Sequence, residues 1–423
     1  MHDDLSKLSV MVIDGGSYVA LARRLGREFG KVYYHNPAWL KPFPTLNEQY
    51  IGKGFPEIEV VESAEPYRDS IDLWYFPDTF SGTTQVALAQ AGKRVWGSRT
   101  LQELELDRSV LKETLADVGL PVNPYESVHG LTALREYLQE HDDRYVKMDG
   151  RFRGHGETFR VRTYTEAKPK LDELAYELGP VAEIIDFMIE SPLKRKVEVG
   201  TDTYCIDGKY PALISCGCEV KDRGYVMQMR PVSEIPPALW RVNEKLAPLF
   251  AKGKFRGAFS TEVRLGTDGK PFLIDPCMRW GSPPNELLQE LWLNLGEISY
   301  AGAGGELVDP VCAAPYGAQL VLTSPWAEHH WLAVNYPSQY ERFVKLRNAC
   351  RIDGTTYVIP QTPGIAEVGS VIGYGDTLEE AIAMCREVAD SISGLDLHAP
   401  YDAFDAAAEE LAKSAAMGVE VLA

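Results

Sequence analysis

The stretch from Gly257 to Asp275, "GAFSTEVRLGTDGKPFLID", constrains this chain more than any other. Two runs of alternating apolar and polar character flank Asp268-Gly269, a strong turn signal, and so specify a hairpin. Counting outward from the turn places Glu262 nearly opposite Asp275, where two like charges repel. A divalent cation resolves the conflict, because a few hard oxygen ligands completed by substrate phosphates are how Mg2+ is usually held. Arg279, four residues past Asp275, fits an anion contact on the adjacent turn. The plainer alternative is two exposed acids at strand ends.

Upstream lies a second chemical signal. Lys147 ends the strand-like "RYVKM" and is followed by Gly150, Gly154 and Gly156, with Arg151 and Arg153 interleaved. Glycines let backbone N–H groups approach phosphate oxygens, and lysine adds a point charge. An ordinary basic hairpin turn has the same composition. Between these two features, "VAEIIDFMIE" is an apolar strand with acidic ends, followed by Glu198. An apolar slot with a carboxylate nearby suits an adenine and a ribose, as it suits any buried strand with polar ends.

The remainder sets the frame. "LSVMVID", "YVALARRLGREFG" and "KVYYHN" form a βαβ opening, continued by "IDLWYFPD", "GTTQVALAQAG" and "KRVWGS". Residues 1–100 are therefore expected to be a small α/β domain whose polar strand ends, at 14–18 and 78–84, touch a substrate. Residues 101–120 carry one helix closed by Gly119 and Pro121. The tail from 305 has its own strands and a helix starting at Asp376 or Thr377. With 423 residues the chain is too long for one core. The net charge of −18, from 61 acids against 43 bases, repels a phosphate backbone and argues against broad nucleic-acid binding. No apolar run approaches the ~20 residues of a membrane span. Seven scattered cysteines, with Cys216 and Cys218 at strand spacing, indicate a reducing cytoplasm rather than a zinc site. The His329-His330 pair sits in an aromatic setting that favours packing over ligation.

In order, the lysine and glycine loop, the apolar hinge strand, Glu198 and the "E-x-R…D-G…F-L-I-D-x-x-x-R-x-G" pattern resemble the ATP-grasp superfamily. The layout is similar to phosphoribosylamine–glycine ligase and biotin carboxylase across roughly residues 8–300. "SVIGYGDTLEEAIAMC" is similar to the last domain of the glycine-ligase branch. The resemblance implies an α/β protein, α+β in its ATP-binding lobes. Its expected parts are a parallel-sheet domain (1–100), a two-lobed ATP-grasp domain (101–304; small lobe about 140–190, large lobe 191–304) and a small C-terminal α/β domain with a helical tail (305–423).

The resemblance also implies ATP with Mg2+ or Mn2+ as cofactors and small-molecule carboxylate and amine substrates, and leaves a homodimer open. Lys147 matches the lysine on the α- and β-phosphates, and Arg153, Gly154, His155 and Gly156 match the loop over them. Arg108 takes the place of a nucleotide-contacting lysine. Asp186, or alternatively Glu183, matches the adenine-hinge acid, with Phe187, Met188 and Ile189 as the slot and Glu198 as the ribose carboxylate. Glu262 and Asp275 match the metal carboxylates and Arg279 the arginine facing the reacting acid, with Arg264 and Lys221 as further catalytic candidates. One departure stands out: Cys277 occupies a position where the pattern has asparagine, and soft sulfur replaces an oxygen that Mg2+ prefers. Asn285, Glu286 or water would then complete the metal shell. The implied activity is an ATP-dependent carboxylate–amine ligase working through an acyl phosphate. A phosphotransferase on the same scaffold, or a nucleotide-binding protein that has lost catalysis, remain alternatives.

Overall fold

A computed structural model describes residues 4–37, 40, 46–148, 158–193, 195–266, 269–360 and 366–423. The chain opens on a parallel sheet of β1 (Ser9–Ile13), β2 (Lys31–His35), β3 (Glu59–Val60), β4 (Leu73–Tyr75) and β5 (Arg94–Trp96), ordered β3-β2-β1-β4-β5. Alternation divides β1 between two cores. Val10 and Val12 pack toward the helix Val19–Leu25, while Met11 and Ile13 join a separate cluster with Leu88 of the helix Gly82–Gln90. A doubly covered parallel sheet results, with its carboxyl ends free to meet the next unit.

The single helix expected over 101–120 is broken. A helix at Glu103–Leu106 ends at Asp107, which has extended backbone, and a second runs Arg108–Asp117. The Asp107 carboxylate accepts from the amides of Ser109 (2.9 Å) and Val110 (3.1 Å), and such a cap starts a helix rather than continuing one.

The next sheet is antiparallel: β6 (Tyr125–His129), β7 (Arg144–Met148), β8 (Thr158–Val161) and β9 (Asp186–Glu190), ordered β6-β9-β7-β8. The helices Leu131–Glu140 and Tyr164–Leu178 cover one face, with Leu134, Leu138, Leu171 and Leu174 on Val146, Phe187 and Ile189. The apolar run expected to be strand from Val181 onward begins its strand only at Asp186, because Gly179–Glu183 coils into a 3-10 turn.

A large antiparallel sheet follows, from β10 (Arg195–Ile206), β11 (Leu213–Val220), β12 (Gly224–Pro231), β13 (Arg256–Gly266) and β14 (Pro271–Cys277). The helix Pro237–Lys252 covers one face through Leu239, Val242, Leu246 and Phe250. Hydrogen bonding does not stop at residue 304. β15 (Tyr316–Thr323) pairs with β12, and the sheet continues through β20 (Glu367–Gly375) to β17 (Val344–Leu346). β16 (Leu332–Val334), β18 (Ala349–Ile352) and β19 (Thr355–Val358) form a small separate sheet. The helix near 377 runs Leu378–Ser391 behind a Thr377/Glu380 capping box, and Ala403–Ala416 supplies the helical tail. Among the described residues, no helix is long and apolar enough to cross a membrane.

Candidate active site

β13 and β14 form the expected hairpin, and Glu262 lies directly opposite Asp275. A bulge makes this so: Val263 pairs with Leu273, leaving Ile274 as the extra residue before Asp275. Without it Glu262 would face Ile274. The two carboxyls are driven apart electrostatically. Burial raises the pKa of Glu262, and the neighbouring Glu198 and Asp275 raise it further. Burial also works to raise Asp275, but Arg108, Lys147 and Lys221 overcome it and hold the carboxyl below its usual range.

Each acid has a guanidinium in attendance. Arg108 Nη1 donates to Asp275 Oδ1 at 2.7 Å. Arg264 lies between two acids, Nε on Glu198 at 2.7 Å and Nη2 on Glu262 at 3.3 Å, because β10 and β13 pair Glu198 with Arg264 in register. Lys221 follows β11 and is exposed, yet it responds to Glu262, Asp222 and Asp275. Two opposed carboxylates offer the hard oxygens that Mg2+ or Mn2+ takes. These residues fit a divalent cation whose shell is completed by phosphate oxygens and water. Among the described residues, no group of three or more His, Cys, Asp or Glu side chains forms a complete cage. Cys277 stays a thiol, since burial pushes its pKa well up.

Beside this pair is a small cavity of ≈ 50 Å³, lined by Glu198, Asp202, Glu219, Tyr225, Ser260, Glu262, Cys277 and Pro283 among others. Strand alternation explains the lining, since residues 198, 200 and 202 share one face of β10. Burial raises Asp202 to about 6 despite the Tyr225 hydroxyl that donates to it. Burial, Glu262 and Asp202 together raise Glu219 well above the carboxylate range.

Lys147 is almost fully buried, and its ammonium lies 3.4 Å from Glu190. A residue outside the sequence expectations completes this cluster. Lys112 makes a tight ion pair with the same Glu190 carboxylate, with both side chains at most 5% exposed. Burial lowers the Lys112 pKa, whereas the two lysines overcome burial and lower that of Glu190. Lys112 lies one helical turn beyond Arg108 on the helix that Leu111 and Leu115 pack against the large-sheet core, whereas Lys147 and Glu190 belong to the small sheet. Two lysines on one carboxylate thus join the lobes. The i, i+4 spacing from Arg108 was the available signal.

The hinge residues separate by parity. Phe187 and Ile189 point into the small-lobe core, while Met188 stands opposite Lys147 across β7 and β9. Asp186 is exposed and paired with His129 at 2.8 Å. Glu183 accepts from the Thr132 hydroxyl at 2.9 Å, at the start of the helix Leu131–Glu140. Arg153, Gly154, His155 and Gly156 lie outside the described residues.

Arg279 is clamped. Its Nε donates to Glu105 at 2.9 Å and lies 3.4 Å from Asp78, and its Nη1 reaches Trp280 O at 2.9 Å and Tyr18 at 3.3 Å. Tyr18 and Asp78 come from the β1 and β4 strand ends that the sequence had pointed to. Glu105, also bonded to the Met278 amide at 2.8 Å, comes from the helix ahead of the Asp107 break, and no spacing pattern announced it. Arg347, another residue without a sequence signal, binds Ser282, Glu286 (3.3 Å) and Glu367 (2.8 Å) close by. Of the expected shell completers, Glu286 is thus engaged with Arg347 and with Gln319 (2.9 Å).

No protein-family model matches this sequence, and no curated protein matches it. Solved structures do. Phosphoribosylamine–glycine ligase from Thermotoga maritima superposes with a TM-score of 0.65 at 17% identity, covering 93% of this chain and 100% of that one. L-amino acid ligase from Bacillus licheniformis gives 0.59 at 15% identity, covering 92% and 99%. The biotin carboxylase domain dimer of Hydrogenobacter thermophilus 2-oxoglutarate carboxylase, a complex with MgADP, ADP and bicarbonate, gives 0.65 at 10% identity, covering 95% and 98%. The chain shares the fold of these enzymes: a parallel-sheet domain followed by antiparallel sheets.

Proposed function

We propose that this chain is an ATP- and Mg2+-dependent carboxylate–amine ligase that works through an acyl phosphate on small molecules. The observation that carries the reading is the convergence of two lysines, Lys147 and Lys112, with the opposed acids Glu262 and Asp275, beside an acid-lined cavity. Cations suit a triphosphate, and the carboxylate pair suits the metal that accompanies it.

In this reading ATP lies between the small and large sheets, its base near Met188 and its ribose near Glu198. Lys147 and Lys112 hold its phosphates. Glu262 and Asp275 would hold a divalent cation, which would supply charge neutralisation at the phosphoryl oxygens. Arg279, kept in place by Glu105, Tyr18 and the Trp280 carbonyl, orients the substrate carboxylate. One oxygen of that carboxylate attacks the γ-phosphorus, the bond to the β–γ bridging oxygen breaks, and ADP leaves. The amine then attacks the acyl carbon, the bond to the phosphate oxygen breaks, and the amine gives up a proton as phosphate departs. Positioning and charge neutralisation supply most of the acceleration.

The test is an ADP-release screen over acids and amines. Lys147→Ala and Glu262→Ala are expected to lower turnover at least ~10²-fold with circular dichroism unchanged. Full ADP release by both variants contradicts the reading. A phosphorylated product formed without any amine indicates a phosphotransferase. A non-catalytic nucleotide-binding role is favoured by Cys277 and by Arg108 lying on Asp275. ATP-dependent thermal stabilisation without turnover across the whole panel would establish it.

A further inference from the structure

Among the described residues, one buried cation outside this site has no counter-ion within hydrogen-bond reach. Arg99, just past the carboxyl end of β5, is only 6% exposed. Its Nε and Nη1 are enclosed and make no hydrogen bond. Two adjoining polar groups are in the same condition: the Ser98 hydroxyl and the Gln85 side-chain N–H₂. They belong to one locality, because the Gln85 carbonyl oxygen accepts from the Arg99 backbone amide at 2.7 Å. The backbone is strained here too, with φ +53° at Arg99, a left-handed conformation costly for a long side chain.

The nearest charges do not relieve it. Asp207 is the acid that acts on Arg99, but Arg256 already holds that carboxylate in a fork of 2.9, 3.1 and 2.6 Å. Arg256 is itself a like charge beside Arg99, and with burial it pushes the Arg99 pKa down to about 10. A buried cation without a partner is costly, and so are enclosed donors without acceptors. Arg99, Ser98 and Gln85 each keep an enclosed side-chain donor without an acceptor, and an anion would supply one.

We propose that Arg99, Ser98 and Gln85 form a binding site for a small oxyanion of the phosphate or sulfate kind. The site is set apart from the Glu262–Asp275 pair: Arg256 and Arg264 stand eight residues apart on β13, roughly 26 Å at strand rise, and Arg99 lies at the Arg256 end, where Gly97 N bonds Arg256 O at 2.7 Å. It is nearer the Arg279 clamp, since β4 and β5 run side by side and Phe76 N bonds Trp96 O at 2.9 Å. Its test reads anion binding alone and needs no ligase turnover.

The test is thermal unfolding of the full chain in sodium phosphate against sodium chloride at matched ionic strength, for wild type and Arg99→Met. Wild type is expected to gain about 1–2 °C for each tenfold rise in phosphate above the dissociation constant. Arg99→Met loses that gain, and in chloride it melts no lower than wild type, since it removes an uncompensated charge. The variant also controls for general stabilisation by phosphate as an excluded salt, which affects both proteins alike. A glycerol phosphate arm separates sources: stabilisation by both anions assigns a site open to phosphomonoesters, and stabilisation by phosphate alone a closed one. Equal phosphate dependence in wild type and variant overturns the proposal. So does a selenate-soaked crystal whose anomalous map shows no anion at the Arg99 guanidinium, a readout that holds even if Arg99→Met fails to fold.

Discussion

Arg108 and Lys112 show how one helical turn divides two chemistries. Arg108, the residue whose position matched a nucleotide lysine, is on Asp275, while Lys112 reaches Glu190 beside Lys147. If Lys112 carries phosphate charge, Lys112→Met should weaken ADP and ATP binding by roughly tenfold or more while leaving adenosine binding unchanged. Lys112→Arg should restore part of the loss. Isothermal titration without acid or amine measures this directly, and equal nucleotide affinity in Lys112→Met and wild type rules the role out. Sequence pattern singled out Lys147, Glu198, Glu262, Asp275 and Arg279 because each stands at a fixed offset from a turn or strand. It passed over Lys112, Glu105 and Arg347, whose partners lie 78, 174 and 61 residues away and appear only when separate elements meet.

At the level of elements, local signals carried far. The β13–β14 pairing signalled by Asp268-Gly269, the Thr377 cap and the βαβ opening are each written in a few consecutive residues, and each appears in the structure. The break at Asp107 was equally local, as an aspartate two residues before a serine amide, but good helix formers on both sides concealed it. Asp107→Ala removes the cap and should cost about 1 kcal/mol. Because the break orients both Glu105 and Arg108, ADP release should fall as well. Thr377→Ala should cost a similar ~1 kcal/mol and leave ADP release alone, since its helix lies behind the sheet. Urea unfolding and the ADP assay separate the two. Equal activity loss in both variants would count against a positioning role for the Asp107 cap.

Across the whole molecule, a buried charge network ties the N-terminal domain to the last strands. Glu290, 1% exposed, meets Lys345 at 2.6 Å, Arg27 at 2.8 Å and Arg342 at 3.3 Å. Burial works to raise Glu290, but Lys345 and Arg27 hold it below its ordinary value of 4.5. A depressed acid contributes stability that is present above pH 4.5 and lost as pH falls through the folded-state value. Glu290→Gln should therefore cost about 3–5 kcal/mol near neutral pH, with the gap to wild type shrinking below pH 4.5. Thermal unfolding from pH 3 to 8 checks the sign, and a gap independent of pH refutes the assignment.

Short-range rules were enough for the opening βαβ unit, the Thr377 cap and the opposition of Glu262 to Asp275, because periodicity and turn chemistry act over a few residues. The pairing of β12 with β15, which runs the large sheet past residue 304, had no such signal, since edge pairing depends on which strands arrive side by side. The same holds for the clamp on Arg279 and for the charge left on Arg99. Hydrogen bonds and ion pairs between distant segments are set by packing, and packing is a property of the folded chain rather than of any window within it.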